Sequence, residues 1–341
     1  MVADIFILIP IAEDQIVGVE VQPIADRIVV YKTKSSYLVQ LDTVSFGNYT
    51  LLDPQYAPIS TAVGCSSQDT IAVVENDLFY FGRDGIYVTG YEPNFLNIIR
   101  TNEVSFRVKP YLDLLSQDDF DTACAVYFDK KYILSFPLRK EMLVYDRSRG
   151  CFVGIWRLPF GIRYMKKYVD IDGNEKLILG TDDGKVYNFN ASINSDNGEI
   201  IEKRLKTNKT SFGDWTTMNT VGFFYFLFRN IVGTTNVTIT LEDREGITSA
   251  IKTFTITGAE QAGKTGYGID PYGTAEYGLS NYYDVSIASD EIMRWGTAFK
   301  TGKLMQVEVS STESNSNFEL LKIAVTAKKH SRGTLSSSLR V

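Results

Sequence analysis

Asp77-Leu78-Phe79-Tyr80-Phe81-Gly82-Arg83-Asp84-Gly85-Ile86-Tyr87-Val88 is an apolar run, a short polar turn and a second apolar run, the signature of a β-hairpin. It decides the fold because it recurs. An earlier copy is Asp26-Arg27-Ile28-Val29-Val30-Tyr31-Lys32-Thr33-Lys34-Ser35-Ser36-Tyr37-Leu38-Val39. A looser third copy runs Lys131-Tyr132-Ile133-Leu134-Ser135-Phe136, crosses Pro137 to Lys140 and returns as Met142-Leu143-Val144-Tyr145-Asp146. The fourth is Lys176-Leu177-Ile178-Leu179-Gly180-Thr181-Asp182-Asp183-Gly184-Lys185-Val186-Tyr187-Asn188-Phe189. With Val30, Tyr80, Ile133 and Ile178 taken as equivalent, the intervals are 50, 53 and 45 residues. Repeats of this length with internal hairpins suit propeller blades, because one four-stranded sheet cannot bury both faces alone and must stack on neighbours. Asp84-Gly85 and Asp183-Gly184 read as two-residue turns, where Gly reaches positive φ without a Cβ clash. The alternative is four unrelated hairpins in an all-β protein; register and spacing together favour repeats.

The composition agrees. In 341 residues, 44% hydrophobic and 13% aromatic content is ample for cores, and 20 Tyr and 20 Phe with many Val, Ile and Thr favour strands. A formal charge of −6 argues against a protein that grips phosphate backbones, although an acidic surface suits a channel wall that DNA must pass without sticking. Cys65, Cys124 and Cys151 are too few and too widely spaced for a disulfide framework or zinc site, and read as buried hydrophobes in a reduced compartment. The apolar start Ile5-Phe6-Ile7-Leu8-Ile9-Pro10 is too short to span a bilayer and lacks a basic flank, so a buried strand, no membrane span and no secretion signal are expected.

Two domains are expected: residues 1–202 with four visible blade repeats, and residues 210–341 as an antiparallel β-sandwich, with the basic stretch Lys203 to Lys209 at the boundary. One helix is expected from about Glu103 to Ser116, capped by Asn102 or Ser105 and started or kinked at Pro110. In the second domain Thr220 to Asn230 reads as a long strand, Asn236 to Asp243, Met305 to Val309 and Leu320 to Ala327 alternate as half-buried strands, and Asp243-Arg244-Glu245-Gly246 reads as a turn into Thr253 to Thr257. Between them, Gly258 to Ser280 has no periodicity. Its Tyr267, Tyr272 and Tyr277 are candidate interface residues, since Tyr among Gly supplies contact area at small entropic cost; a plain solvated loop fits as well.

Catalytic chemistry finds little footing. His330 is the only histidine and lies in a polar tail. There is no HExxH, paired CxxC or calcium-loop spacing, and Gly263 to Gly273 lacks the strand-turn-helix setting of a phosphate cradle. Asp118-Asp119-Phe120-Asp121 reads as an acidic connector after the helix. Asp26, Asp77, Asp84, Asp129, Asp146 and Asp183 recur with the repeat, as turn residues do, whereas a pair of glycosidase carboxylates would break it. No enzyme, cofactor or metal is expected.

The stretch from Gly64-Cys65-Ser66 through Arg83-Asp84-Gly85-Ile86-Tyr87 resembles virion proteins of tailed bacteriophages that carry a β-propeller in the tail hub or nozzle. Ala123-Cys124-Ala125-Val126-Tyr127-Phe128-Asp129-Lys130-Lys131-Tyr132, with Val144-Tyr145-Asp146 and Trp156, looks like the following blade. The similarity covers about residues 20 to 190. It implies a homo-oligomeric ring, often sixfold, beneath portal and adaptor proteins, forming a conduit for genome ejection with no enzymatic activity. A further blade would come from residues 1–20 with 40–60, or be divergent or absent. The expected role is therefore a structural subunit of a phage tail, made in the host cytoplasm and located in the virion. The competing reading is a propeller that binds or cleaves host-surface carbohydrate through Trp156, Trp215 or Trp295. An intracellular scaffold is a third, weakened by the absence of Trp-Asp blade endings.

Overall fold

The computed structural model describes residues 14–24, 27–46, 49–92, 98–190, 195–196, 199–212, 219–244, 247–258, 291–313 and 317–329. The fold is all-β, built of several small antiparallel sheets. Among the described residues no helix is long and apolar enough to cross a membrane. The chain divides into two units, Met1–Asn190 and Ala191–Val341, so the division falls ahead of the expected boundary.

The first unit is a run of four sheets in chain order. The first holds β1 (Ile16–Gln22), β2 (Arg27–Lys32), β3 (Ser36–Phe46) and β4 (Tyr49–Ser60). The second holds β5 (Ala72–Val74), β6 (Asp77–Phe81), β7 (Ile86–Glu92) and β8 (Ile98–Glu103). The third holds β9 (Cys124–Phe128), β10 (Lys131–Phe136), β11 (Glu141–Asp146) and β12 (Cys151–Arg157), and the fourth β13 (Ile162–Val169), β14 (Glu175–Thr181) and β15 (Val186–Phe189). Each is an antiparallel meander, and the four repeated phrases are the hairpins β2–β3, β6–β7, β10–β11 and β14–β15.

Consecutive sheets share apolar layers. Val29 and Tyr31 of the first sheet meet Leu78, Tyr80 and Tyr87 of the second, with the Tyr31 and Tyr80 ring centroids 4.5 Å apart. Phe79, Phe81 and Val88 on the opposite face of the second sheet meet Tyr132, Leu134 and Phe136 of the third. Ile133, Met142 and Val144 on the other face of the third meet Met165, Leu177 and Leu179 of the fourth. From Leu78 to Phe81 strand β6 is thus apolar without interruption because alternate side chains face different neighbouring sheets, both of them dry. Each fully buried Phe, Leu or Ile contributes about 1.5–3 kcal/mol.

Three expectations change. Tyr80 packs toward the preceding sheet and Ile133 toward the following one, so the equivalence of Val30, Tyr80, Ile133 and Ile178 slips by one residue between the second and third copies. With a strand period of two, such a slip exchanges the faces. Of the residues 1–20 and 40–60 expected to supply a further blade, 16–20 lie in β1 and 40–46 and 49–60 in β3 and β4, all within the first sheet. The helix after β8 is broken: a 3-10 turn over Phe106–Val108 leads into α1 (Lys109–Leu112), with Pro110 in its first turn, and α2 (Gln117–Thr122) follows. Ser105 does not cap it; its hydroxyl accepts from the Ile86 N–H and donates to Glu103.

In the second unit, β16 (Ser195–Asp196) pairs with β17 (Glu199–Ile200). A seven-stranded sheet follows, of β18 (Lys203–Lys206), β19 (Thr210–Ser211), β20 (Asn219–Arg244), β21 (Ile247–Gly258), β22 (Glu291–Gly302), β23 (Leu304–Ser311) and β24 (Asn317–Lys329). The basic stretch expected at the boundary is β18, paired to β23. The two expected strands 220–230 and 236–243 are halves of β20, which changes partners midway. Its first half pairs with β22 and β24, and its second with β21 and β23. Gly233, at φ +69, lies between the halves. Phe224, Phe226 and Phe228 from the first half join Val237, Ile239 and Leu241 from the second in one core.

Candidate assembly surfaces

The recurring turn carboxylates have structural tasks. Asp84 accepts from the Tyr87 hydroxyl at 2.7 Å, Asp146 from the Arg149 N–H, and Asp183 from the Thr181 hydroxyl. Asp77 ties two sheets together: the Arg147 guanidinium reaches from the β11–β12 turn of the third sheet to Asp77 at 2.7 Å and Glu75 at 3.3 Å on the second. Burial holds Asp77 above the usual carboxylate range, Arg147 opposes that rise, and Glu75 adds to it. Asp26 lies outside the described residues.

The turns differ from the expected two-residue Asp-Gly connections. In the second sheet Gly82 N–H bonds to Gly85 O, so the loop is Arg83-Asp84, and Gly85 is required by close approach, since a Cβ there would press on the Ser105 hydroxyl. Gly184 does adopt positive φ, at +77, closing a three-residue loop that begins at Asp182.

Sequence reading missed the Asp14 clamp. Its buried carboxylate accepts from the Thr33 and Ser35 hydroxyls and the Lys34 N–H, fixing the β2–β3 turn. Burial pushes its pKa up, but these hydrogen bonds prevail and hold it below the usual range. A lone Asp outside the repeat carries no signal for this.

Asp119 completes a capping box with Ser116 at the start of α2, which gives the acidic run Asp118-Asp119-Phe120-Asp121 a local structural task. Cys65 and Cys124 are buried, and burial pushes their thiols up to about 11 and about 12. Cys151 is partly exposed. Trp156 is partly buried and stacks one ring face on Phe189 at 5.7 Å between the third and fourth sheets, a packing role in the layer. Among the described residues no group of three His, Cys, Asp or Glu could hold a metal ion. The candidate interface residues Tyr267, Tyr272 and Tyr277, together with His330, Trp215 and the Ile5–Pro10 stretch, lie outside the described residues, as does the Trp295 side chain.

Two surfaces of the first unit stand out by their exposure. One is the face of the fourth sheet turned away from the third. Met165 and Leu179 point inward as a cross-strand pair, so Tyr164, Lys166, Tyr168, Ile178 and Val186 point outward, with Tyr164 54%, Tyr168 37% and Val186 71% exposed. The other is the far part of the β3–β4 hairpin. Strand β2 pairs with β3 only over Ser36 to Val39, so from Gln40 to Phe46 the hairpin continues as a two-stranded ribbon for about 20 Å. Leu41 and Val44 on it are 48% and 47% exposed.

Against these geometries, comparison with protein-family models and with curated proteins finds no match.

Proposed function

We propose that the chain is a structural subunit of a bacteriophage tail, in a hub, nozzle or ring around the DNA channel. Its first unit supplies propeller-type blades and its second a β-sandwich. The serial stack carries this reading: three meanders of four strands and one of three follow one another in the chain, and each inner sheet is buried on both faces against its neighbours. That is how blades of a propeller stabilise one another. The carboxylates of the repeat are engaged in turns and inter-sheet ties, which favours an architectural role over a catalytic one. A stack tied across its layers is a stiff wall. With a net charge of −6, such a wall would let DNA pass a lumen without binding it.

The partners on this reading are further copies of the chain in a ring, with sixfold symmetry the expectation, and the neighbouring tail, portal or adaptor proteins of the virion. Tyr267, Tyr272 and Tyr277 would contribute contacts between subunits. The test is immunogold labelling and cryo-electron microscopy of particles made from the genome that encodes this chain. Label confined to the tail, with ring-shaped density that fits the stacked sheets, is expected. Purified infectious particles that lack the protein would overturn the proposal.

A further inference from the structure

We propose that the projecting β3–β4 ribbon of one copy docks on the outward face of the β13–β15 sheet of a second copy. The inference deepens the reading of the chain as an assembling subunit and rests on it. A two-stranded ribbon is marginal in water, so one that has no third strand among the described residues and leaves Val44 exposed on the face it shares with Gln40 and Asp42 calls for a surface to lie on.

The ribbon's charges identify that surface. Asp42 and Asp53 stand directly opposite each other across the strands, flanked by the Gln40–Gln55 pair on the same face. Gln40 donates to Asp42 at 2.9 Å and Gln55 to Asp53 at 2.8 Å, and neither carboxylate has an ion-pair partner among the described residues. Like charges directly opposite destabilise a strand pair, and a cation brought from outside removes that cost. The outward face of the fourth sheet offers two. Lys166 pairs with Ile178 and Tyr168 with Lys176, which makes the two lysines diagonal neighbours within reach of one carboxylate pair. Lys166 has no ion-pair partner among the described residues, and Lys176 holds Asp170 at 2.6 Å at the edge of the face. Tyr164 and Tyr168 flank Lys166 and present ring area to Val44.

Continuity supports the same choice. Three successive layers in this unit are sheet against sheet, and the outward face of β13–β15 extends that series with exposed aromatic and aliphatic side chains that no further described sheet of the first unit covers. Docking by the ribbon's face, and not by strand addition along β4, follows from Pro54 and Pro58, which remove two N–H donors from that strand. The contact joins unlike surfaces, so it is heterologous and propagates head to tail, as a ring requires.

The test is sedimentation of the full chain over a wide concentration range, with far-UV circular dichroism to verify folding. Wild-type protein should self-associate. Asp42→Lys with Asp53→Lys, and separately Lys166→Glu with Lys176→Glu, should each raise the concentration needed for association about tenfold or more. Mixing the two reversed proteins should restore association, because each then offers a ribbon that matches the other's sheet. A wild-type chain that stays monomeric, association indifferent to both reversals, or folded reversed proteins that fail to associate on mixing would each overturn the contact. These outcomes are separate from the virion labelling: protein found in tails but indifferent to charge reversal sinks this contact alone.

Discussion

Arg147→Met removes the cation that ties the third sheet to the second while keeping most of the side chain's apolar length. In the native unit the guanidinium lies 2.7 Å from Asp77, 3.3 Å from Glu75 and 5.9 Å from the Phe79 ring centroid. A hydrogen bond to a half-buried carboxylate is worth about 1.5–3 kcal/mol. The exposed Glu75 adds less than about 1 kcal/mol and the ring contact about 0.5–1 kcal/mol. Loss of about 2–3 kcal/mol near pH 7 is expected, because Asp77 is left ionised without a partner. The pH dependence follows from linkage. A carboxyl whose pKa is higher in the folded chain costs stability as pH rises through the folded value, and the cost is relieved as pH falls toward the ordinary carboxylate range. Burial already holds Asp77 high with Arg147 opposing, so removing Arg147 raises it further, and the deficit should shrink as pH falls from neutral toward the ordinary carboxylate range. The assay is urea unfolding followed by Trp156 emission in a background where Trp215 and Trp295 are Phe, so that the first unit is read by itself. Arg149→Met, which removes an exposed ion pair with Asp146 at 3.6 Å, serves as control and should cost under about 0.5 kcal/mol. A deficit for Arg147→Met as small as the control's, or one that does not shrink as pH falls, would refute the argument.

The phenols separate satisfied from unsatisfied groups. Tyr132→Phe loses a 2.8 Å bond to Thr70 O and should cost about 1 kcal/mol in the same unfolding assay. Tyr31→Phe should be neutral or stabilising, because its buried hydroxyl has no aligned partner; the Thr89 hydroxyl is near enough to oppose the effect of burial on that phenol but not to bond well. A thiol reagent at mildly alkaline pH should label native protein at Cys151 only, with Cys65 and Cys124 reacting after unfolding, as peptide mapping would read. Ser116→Ala breaks the capping box of α2 and should cost about 1 kcal/mol by the same measurement.

The four hairpins were legible in the sequence because a hairpin is local: apolar runs, a polar turn and a return within about a dozen residues state both strands and their connection. The all-β class followed from the same runs and from the abundance of Tyr, Phe, Val and Ile. Which face each side chain takes was not legible. Leu78-Phe79-Tyr80-Phe81 is apolar on both sides because a sheet stands on each side of it, so the period-two contrast that marks inside and outside is gone, and only packing assigns Tyr80 to the first sheet and Phe79 to the third. The outer strands were decided by tertiary pairing as well. Ile16–Gln22 belongs with the first hairpin through registers such as Val19 with Val30 and Val21 with Ile28, and neither partner announces the other. Long-range charge pairs follow the same rule. Asp77 and Arg147 are 70 residues apart, and their meeting exists only once two sheets have stacked and brought their turns to one end of the layer.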